Sequence, residues 1–244
     1  MNTSGKDQIF AAPAEAPRKF AFDERVVAVF PDMIKRSVPG YDSVIQLSGQ
    51  LAARFARPNS NVYDLGCSLG ATSIAMASSI TSPGCTVVAV DNSQAMIAGL
   101  KTKLGQVNCT TPIRPVYGDV QGVSVDTASV AALNYTLQFI PPNDRAGVLD
   151  RIYRGMLPKG VLILSEKIAF QNPEINQHFI DLYHDFKRAN GYSDLEISQK
   201  RDALEEVLIP ETLETQQSRL RDVGFSRTEV WFQCFNFVSI LAFK

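Results

Sequence analysis

Residues 62–70, which read V-Y-D-L-G-C-S-L-G, constrain the fold of this chain more than any other stretch. An apolar strand pattern carries the acid Asp64, the glycines Gly66 and Gly70 bracket a tight loop, and a helical pattern follows. This order predicts the first strand–loop–helix turn of a nucleotide-binding α/β sheet, where backbone N–H groups and a helix N-terminus meet a ligand. Glycine suits such a loop because a Cβ would keep the ligand away from the backbone.

Two interpretations of the loop fit poorly. A dinucleotide site expects G-x-G-x-x-G, and the spacing here is G-x-S-x-G. That spacing also occurs in the nucleophile elbow of α/β-hydrolases, which would make Ser68 a nucleophile. An elbow needs a downstream acid and histidine, but the two histidines, His178 and His184, both lie in one helical-looking segment. Almost no strand sequence precedes the loop, which also disfavours a hydrolase.

The favoured interpretation is the S-adenosylmethionine loop of class I methyltransferases, in which an acid is followed by spaced glycines or serines. Asp64, Gly66, Ser68 and Gly70 fit that spacing. The chain is therefore predicted to be an α/β protein with a Rossmann-like class I methyltransferase fold. We expect a seven-stranded, mostly parallel sheet with a helical insertion before the last two strands.

The apolar runs and breaks along the chain give the expected organisation. The predicted strands are 61–65, 85–90, 113–117, 128–133, 161–165, 227–234 and 237–243. The predicted helices are 24–30 with Asp23 as its N-cap, about 42–57, 72–79, 94–104 and 143–157. We expect a flexible N-terminal arm over 1–21, a single domain over 22–244, and the helical insertion over about 171–222.

Polar residues at the strand ends are candidates for the ligand. Asp91, after the second strand, is favoured to accept from both ribose hydroxyls, with capping of the next helix as the alternative. Asp119 and the Val120 N–H, after the third strand, are expected beside the adenine. Asn134 ends the fourth strand and faces the reacting group in this architecture. The sequence after it does not read P-P-Y, which argues against methylation of a planar amine.

Two further features have both an ordinary and a functional interpretation. Tyr41, at the Pro-Gly break, either packs on the core or forms a lid over the cofactor. In the insertion, a charge run is usually the solvated face of an amphipathic helical hairpin. Its cations Lys187, Arg188, Lys200 and Arg201 would otherwise suit a ligand that bears a carboxylate.

Composition excludes several classes of function. The 244 residues carry a formal net charge of −1, so there is no global basic footprint for nucleic acid. The cysteines Cys67, Cys85, Cys109 and Cys234 form no C-x-x-C pair, which indicates reduced thiols in a cytoplasmic protein and no metal site. No run reaches transmembrane length and the N-terminus has no apolar signal core, so we expect no membrane partner.

The chain resembles the carboxy-S-adenosyl-L-methionine synthases, a bacterial family, over nearly its whole length. The matching stretches are 22–26, 29–34, 36–41, 63–70, 137–139, 164–167, 184–201 and 231–237. The run 184–201 is the specific one, because generic methyltransferases share only the nucleotide loop. No motif position departs from the family pattern.

The resemblance implies a reaction of S-adenosyl-L-methionine with prephenate that gives carboxy-S-adenosyl-L-methionine and phenylpyruvate. It also implies a functional link to the enzyme that carboxymethylates the wobble uridine of tRNA (cmo5U). The family's ligand-binding positions carry over to Tyr41, Gly66, Cys67, Ser68, Asp91, Asn92, Asp119, Val120, Asn134 and Arg201. A sulfonium acidifies its methyl protons, so a deprotonated methyl could capture carbon dioxide in a site closed to water. Arg201 is then the candidate cation for the new carboxylate.

Other possibilities stay open from the sequence. An ordinary methyltransferase acting on a small molecule or tRNA is the alternative, and a module that only stores S-adenosylmethionine is a third. The long insertion also predicts a homodimer, because its apolar residues exceed what one domain edge needs to cover. Those residues are Phe179, Leu182, Tyr183 and Phe186. A dimer would let Arg201 reach a neighbouring site.

Overall fold

A computed structural model describes residues 5–13, 20–204 and 207–244 of the chain. The predicted flexible arm over 1–21 therefore lies partly outside the described residues. Within the described part, no helix combines the length and apolar character needed to cross a membrane.

Apart from the short strand Glu211–Thr212, the described strands and helices follow one another in the predicted order. The strands are β1 (Asn61–Leu65), β2 (Thr86–Asp91), β3 (Ile113–Tyr117), β4 (Ala128–Asn134), β5 (Met156–Ala169), β6 (Glu211–Thr212), β7 (Arg227–Cys234) and β8 (Phe237–Phe243). The helices are α1 (Glu24–Ser37), α2 (Tyr41–Phe55), α3 (Ala71–Ser79), α4 (Gln94–Leu104), α5 (Pro142–Gly155), α6 (Pro173–Ala189), α7 (Asp194–Leu204) and α8 (Leu213–Val223). A single 3-10 turn, Leu137–Phe139, follows β4.

One mixed sheet organises the chain, in the order β3-β2-β1-β4-β5-β8-β7. The first five strands are parallel, and β8 pairs antiparallel with both β5 and β7. This confirms the predicted seven-stranded, mostly parallel sheet. The two-residue β6 adds a short pairing at the end of β5. Since β1–β4 share one direction, their carboxyl ends meet at one edge.

Both faces of the sheet are covered. Leu133 on β4 packs on one face with Leu149 of α5, and Val130 packs on the other face with Met76 of α3. All four side chains are almost wholly buried, and burial of each contributes roughly 1.5–3 kcal/mol relative to exposure. The near-continuous apolar strands in the sequence follow from this double covering.

Helix α1 extends beyond its sequence-based boundary. The N-cap of α1 is confirmed, because Asp23 accepts from the backbone N–H groups of Arg25 and Val26. However, α1 continues through Pro31 to Ser37, which gives up one internal helical hydrogen bond. Tertiary packing explains the extension, because buried Met33 lies beyond the proline.

The predicted insertion over about 171–222 divides into two parts. Helices α6 and α7 stand over the carboxyl edge of the sheet, where several of their residues line a cavity. The last helix, α8, instead packs beside α5 on the sheet, with Leu220 fully buried in the core. The insertion proper is thus the α6–α7 pair, and α8 belongs to the layer that covers the sheet.

The described part of the predicted flexible arm, residues 5–13, packs on the domain. Asp7 is only 1% exposed, and its carboxylate accepts a 2.5 Å hydrogen bond from the Tyr192 hydroxyl. Lys200 Nζ lies 3.7 Å from the same carboxylate. The segment therefore fastens the α6–α7 region to the rest of the chain through a buried polar contact, which its polar sequence did not indicate.

Candidate active site

A cavity of about 570 Å³ opens at the carboxyl edge of the sheet, beneath α1, α6 and α7. All ten predicted ligand-binding residues line it: Tyr41, Gly66, Cys67, Ser68, Asp91, Asn92, Asp119, Val120, Asn134 and Arg201. The sequence order separates these residues by up to 160 positions, and the sheet brings them together because each follows a strand or lies on a covering helix. Their contact with a ligand remains a prediction.

The loop between β1 and α3 borders the cavity, but the backbone N–H groups of Gly66, Ser68 and Gly70 all donate within the fold. Gly66, Ser68 and Gly70 all have positive φ, at +83°, +47° and +76°. Such a loop at a helix N-terminus forms a concave cradle suited to a polar ligand. The structure adds a second reason for glycine, since a Cβ on Gly66 would collide with the side chain of Thr136.

Asp91 ties this loop to the end of β2. Its carboxylate accepts from the Ser68 N–H at 2.8 Å and from the Ser93 N–H at 2.9 Å. Burial raises the pKa of Asp91, and the two N–H donors oppose that rise. The helix α4 is capped by Ser93, which accepts from the Met96 N–H at 3.2 Å, so the alternative capping role for Asp91 is wrong. One bond per carboxylate oxygen leaves lone pairs for ribose hydroxyls.

The acid of the loop pattern, Asp64, has a structural role here. It is 1% exposed and accepts a 2.5 Å hydrogen bond from the Ser73 hydroxyl on α3. Burial raises the pKa of Asp64 to about 7. This contact fixes the start of α3 relative to β1, and thereby the shape of the loop between them.

Asp119, Val120 and Asn134 lie around the same cavity. The exposed Asp119 accepts from the Gln121 N–H at 2.8 Å, while Val120 is buried. The Asn134 amide donates to Thr72 at 3.1 Å and accepts from Ser165 at 2.7 Å. Because the amide is held on both sides, Asn134 presents a fixed polar edge to the cavity rather than a freely turning one.

Tyr41 lines the cavity and also packs with Tyr135, their ring centroids 6.2 Å apart. Burial raises the pKa of the Tyr41 hydroxyl above its ordinary value. The ring packs in a small cluster with Val38 and Val44 and also forms a wall of the cavity, and its role as a lid over the cofactor stays a prediction.

The cations at the cavity differ in one member from the set that the sequence indicated. Lys167, Lys187 and Lys200 all line it together with Arg201. Burial lowers the pKa of Lys187 to about 7 and those of Lys167 and Lys200 to about 8. The sequence does not mark Lys167 as a site residue, because a lysine after an apolar strand is the usual polar end of such a strand.

The two arginines of the predicted cation set differ from these lysines. Arg188 is exposed on α6 and pairs with Asp185 and Asp194, so it takes no part in the cavity wall. Arg201 lies at the cavity with its side chain 61% exposed, and it contacts Asp202 at 3.1 Å. This places Arg201 at the mouth, where a partly solvated guanidinium can turn toward a ligand.

Comparison with known proteins identifies relatives of the whole chain. A methyltransferase-domain family matches residues 62–160. The chain is 56% identical to a carboxy-S-adenosyl-L-methionine synthase of Trichlorobacter lovleyi, over 99% of this chain and 100% of the relative. The enzyme of the same name from Geobacter metallireducens is 57% identical over 99% of this chain and 100% of that enzyme. That from Photobacterium profundum is 52% identical over 100% of both chains.

Solved structures share the fold at low sequence identity. A methyltransferase of Methanococcus maripaludis described as S-adenosyl-L-methionine-dependent has a TM-score of 0.60 at 19% identity, over 94% of this chain and 96% of that one. An O-methyltransferase-like protein of Nostoc punctiforme has a TM-score of 0.64 at 16% identity, over 91% of this chain and 59% of that one. Together with the sheet order, these confirm the class I methyltransferase fold.

Proposed function

This chain belongs to the carboxy-S-adenosyl-L-methionine synthase family, and we propose that it makes carboxy-S-adenosyl-L-methionine from S-adenosyl-L-methionine and prephenate. The observation that carries the proposal is one cavity that joins a nucleotide loop to a group of cations. Methyl transfer to a neutral acceptor has no need of cations beside the methyl group. Carboxyl transfer places anions there, in both the second substrate and the product.

The proposed reaction balances without a further reactant. A C–H bond of the sulfonium methyl breaks, and a C–C bond forms between that carbon and the ring carboxyl carbon of prephenate. The bond between ring and carboxyl breaks, its electron pair makes the ring aromatic, and the ring hydroxide leaves. Hydroxide and the methyl proton combine as water, and phenylpyruvate remains.

The position of each residue in the cavity indicates which part of the nucleotide it would contact. Asp91 would hold the sugar end of the nucleotide beside the loop backbone, while Asp119 and Val120 would hold the adenine. Asn134, fixed by Thr72 and Ser165, would then orient the reacting end. Fixing the nucleotide before the second substrate arrives lowers the entropy cost of bringing the two carbon atoms together.

Arg201 is proposed to bind the newly formed carboxylate. Its guanidinium offers a planar pair of N–H donors that match a carboxylate, and its contact with the exposed Asp202 is weak enough to exchange. Aromatic side chains around the reacting end, Phe22, Phe139 and Tyr135 among them, reduce access of water. Less water protects a reactive carbon centre from protonation before it meets the carboxyl group.

We also propose a homodimer, a functional link to tRNA modification and a cytoplasmic location. The exposed apolar residues of α6, Ile175 and Leu182, favour a homodimer through this helix. The product would serve the enzyme that carboxymethylates the wobble uridine of tRNA, and the formal charge of −1 suits a protein that binds small acids rather than tRNA itself. The free cysteines suit a reducing compartment such as the cytoplasm.

The function is tested by mass spectrometry of the nucleotide that copurifies with the protein and by an assay with both substrates. We expect carboxylated nucleotide in the purified protein, and formation of phenylpyruvate only when S-adenosyl-L-methionine and prephenate are both present. Copurified S-adenosyl-L-methionine that is converted to S-adenosylhomocysteine by added tRNA or a small acceptor would instead support an ordinary methyltransferase.

A further inference from the structure

Two lysines of the cavity wall share one aromatic ring and have no carboxylate partner among the described residues. Lys167 Nζ lies 4.6 Å and Lys187 Nζ 4.5 Å from the ring centroid of Tyr183. Neither forms an ion pair with any residue in the described ranges. Lys187 is only 5% exposed, so its charge is both buried and uncompensated apart from the ring face. Burying a cation without an anion destabilises the folded protein, and a bound anionic ligand would offset that cost.

The third lysine of the cavity is different. Lys200 is also buried, but its Nζ donates to the Ser37 hydroxyl at 3.0 Å and lies 3.7 Å from the Asp7 carboxylate. Its charge is therefore compensated within the fold. Only Lys167 and Lys187, among the cavity lysines that the structure describes, retain an unmatched charge that an incoming anion would satisfy.

The two lysines come from separate elements, which argues for a built pocket. Lys167 lies near the end of β5, and Lys187 lies on α6, four residues after Tyr183. The extension of β5 beyond the predicted strand brings Lys167 to the cavity, and α6 closes over it. Because Tyr183 is buried and packs on Phe237, the ring that both ammonium groups face is held in place.

We propose that Lys167 and Lys187 bind the carboxylate of the second substrate that is not transferred, the α-keto acid carboxylate of its side chain. This inference rests on the proposed function. A carboxylate about to leave as carbon dioxide loses its charge, so a strong ion pair to it would stabilise the starting state and slow the reaction. Cations are better placed on the spectator carboxylate, where the charge persists from substrate to product.

Phenylpyruvate is the informative probe because it keeps the spectator carboxylate and lacks the transferred one. We would measure its binding to the protein loaded with S-adenosyl-L-methionine by calorimetry, and the KM for prephenate in the assay. In Lys167→Met and Lys187→Met, phenylpyruvate affinity should fall at least about tenfold and KM should rise by a similar factor. The affinity for S-adenosyl-L-methionine should change by less than about twofold.

A matched control is Lys101→Met, which removes an exposed lysine from α4. It should leave both phenylpyruvate affinity and KM unchanged. Removal of a buried, unpaired charge should not lower the melting temperature of Lys187→Met, so loss of binding with an unchanged melting curve reflects the site itself.

A measurement on the unaltered protein makes the test independent of folding in the variants. The methyl ester of phenylpyruvate lacks the anion and should bind at least about tenfold more weakly than the acid. Equal affinity of acid and ester, or unchanged KM in both lysine variants of an enzyme that makes carboxylated nucleotide, overturns the lysine assignment alone. Absence of carboxylated product from the unaltered protein overturns the proposed function instead.

Discussion

The backbone N–H of Ser68 donates a 2.8 Å hydrogen bond to the buried carboxylate of Asp91. This contact joins the loop after β1 to the end of β2, so the acid that is proposed to hold the ribose also shapes the loop that is proposed to cradle the nucleotide. One residue thus couples two halves of the site, and its replacement should affect both.

Asp91→Ala should weaken S-adenosyl-L-methionine binding by at least about tenfold. The variant loses the proposed charge-assisted bonds to the ribose, each worth roughly 1.5–3 kcal/mol, and it frees the Ser68 N–H. Calorimetry checks the affinity. The control Thr212→Ala removes the N-cap of α8 and should cost about 1 kcal/mol of stability with unchanged affinity. Unchanged affinity in Asp91→Ala would remove Asp91 from the site.

Arg201→Ala should distinguish the product from the substrate. If Arg201 pairs with the new carboxylate, its loss should weaken the binding of carboxy-S-adenosyl-L-methionine by about 1.5–3 kcal/mol. The binding of S-adenosyl-L-methionine should weaken by less than about 0.5 kcal/mol. Arg201→Lys should restore part of the difference, because a point charge lacks the planar fork. Titration of both nucleotides checks this, with the exposed Arg154→Ala as control. Equal losses for the two nucleotides would contradict the assignment.

The KM for prephenate should rise between pH 7 and pH 9. Burial lowers the pKa of Lys187 to about 7 and that of Lys167 to about 8, so both lysines lose their protons in the free enzyme over this range. A neutral amine cannot pair with a carboxylate. Lys200 of α7 and His184 of α6 also face this region. Kinetics at several pH values measure the change, and a flat KM across this range would argue against charged lysines in the pocket.

The dimer proposal places the contact on α6. Leu182 is 43% exposed on this helix, so Leu182→Glu should place a charge in the contact and give a monomer at micromolar concentration. Sedimentation velocity measures the state of both proteins. Val107→Glu, at an exposed apolar position outside α6, should leave the dimer intact. An unaltered chain that sediments as a monomer would reject the proposal.

The sequence predicted the sheet and the residues that line the cavity at the ends of β1 to β4. Buried parallel strands such as β2 are continuous apolar runs, and the residues that follow them, such as Asp91 and Asn134, meet at one edge for geometric reasons alone. Such positions follow from the strand order, so the sequence alone is sufficient to predict that these residues line the cavity.

The lysines that line the cavity could be predicted from the sequence only in part. Lys187 was noticed as part of a charge run, but Lys167 lies 20 positions earlier and meets it only because α6 folds back over the end of β5. The burial of Asp7 against Tyr192 joins residues 185 positions apart. No local pattern marks such pairs, because each forms only when segments that are distant in the chain pack together.

The most direct test of carboxyl transfer is to follow the carboxyl carbon. Prephenate labelled with carbon-13 at its ring carboxyl would be incubated with the protein and unlabelled S-adenosyl-L-methionine, and the products analysed by mass spectrometry. We expect the label in carboxy-S-adenosyl-L-methionine, with unlabelled phenylpyruvate formed in equal amount. Label that appears only in dissolved bicarbonate, or formation of S-adenosylhomocysteine in place of the carboxylated nucleotide, would contradict the proposed reaction.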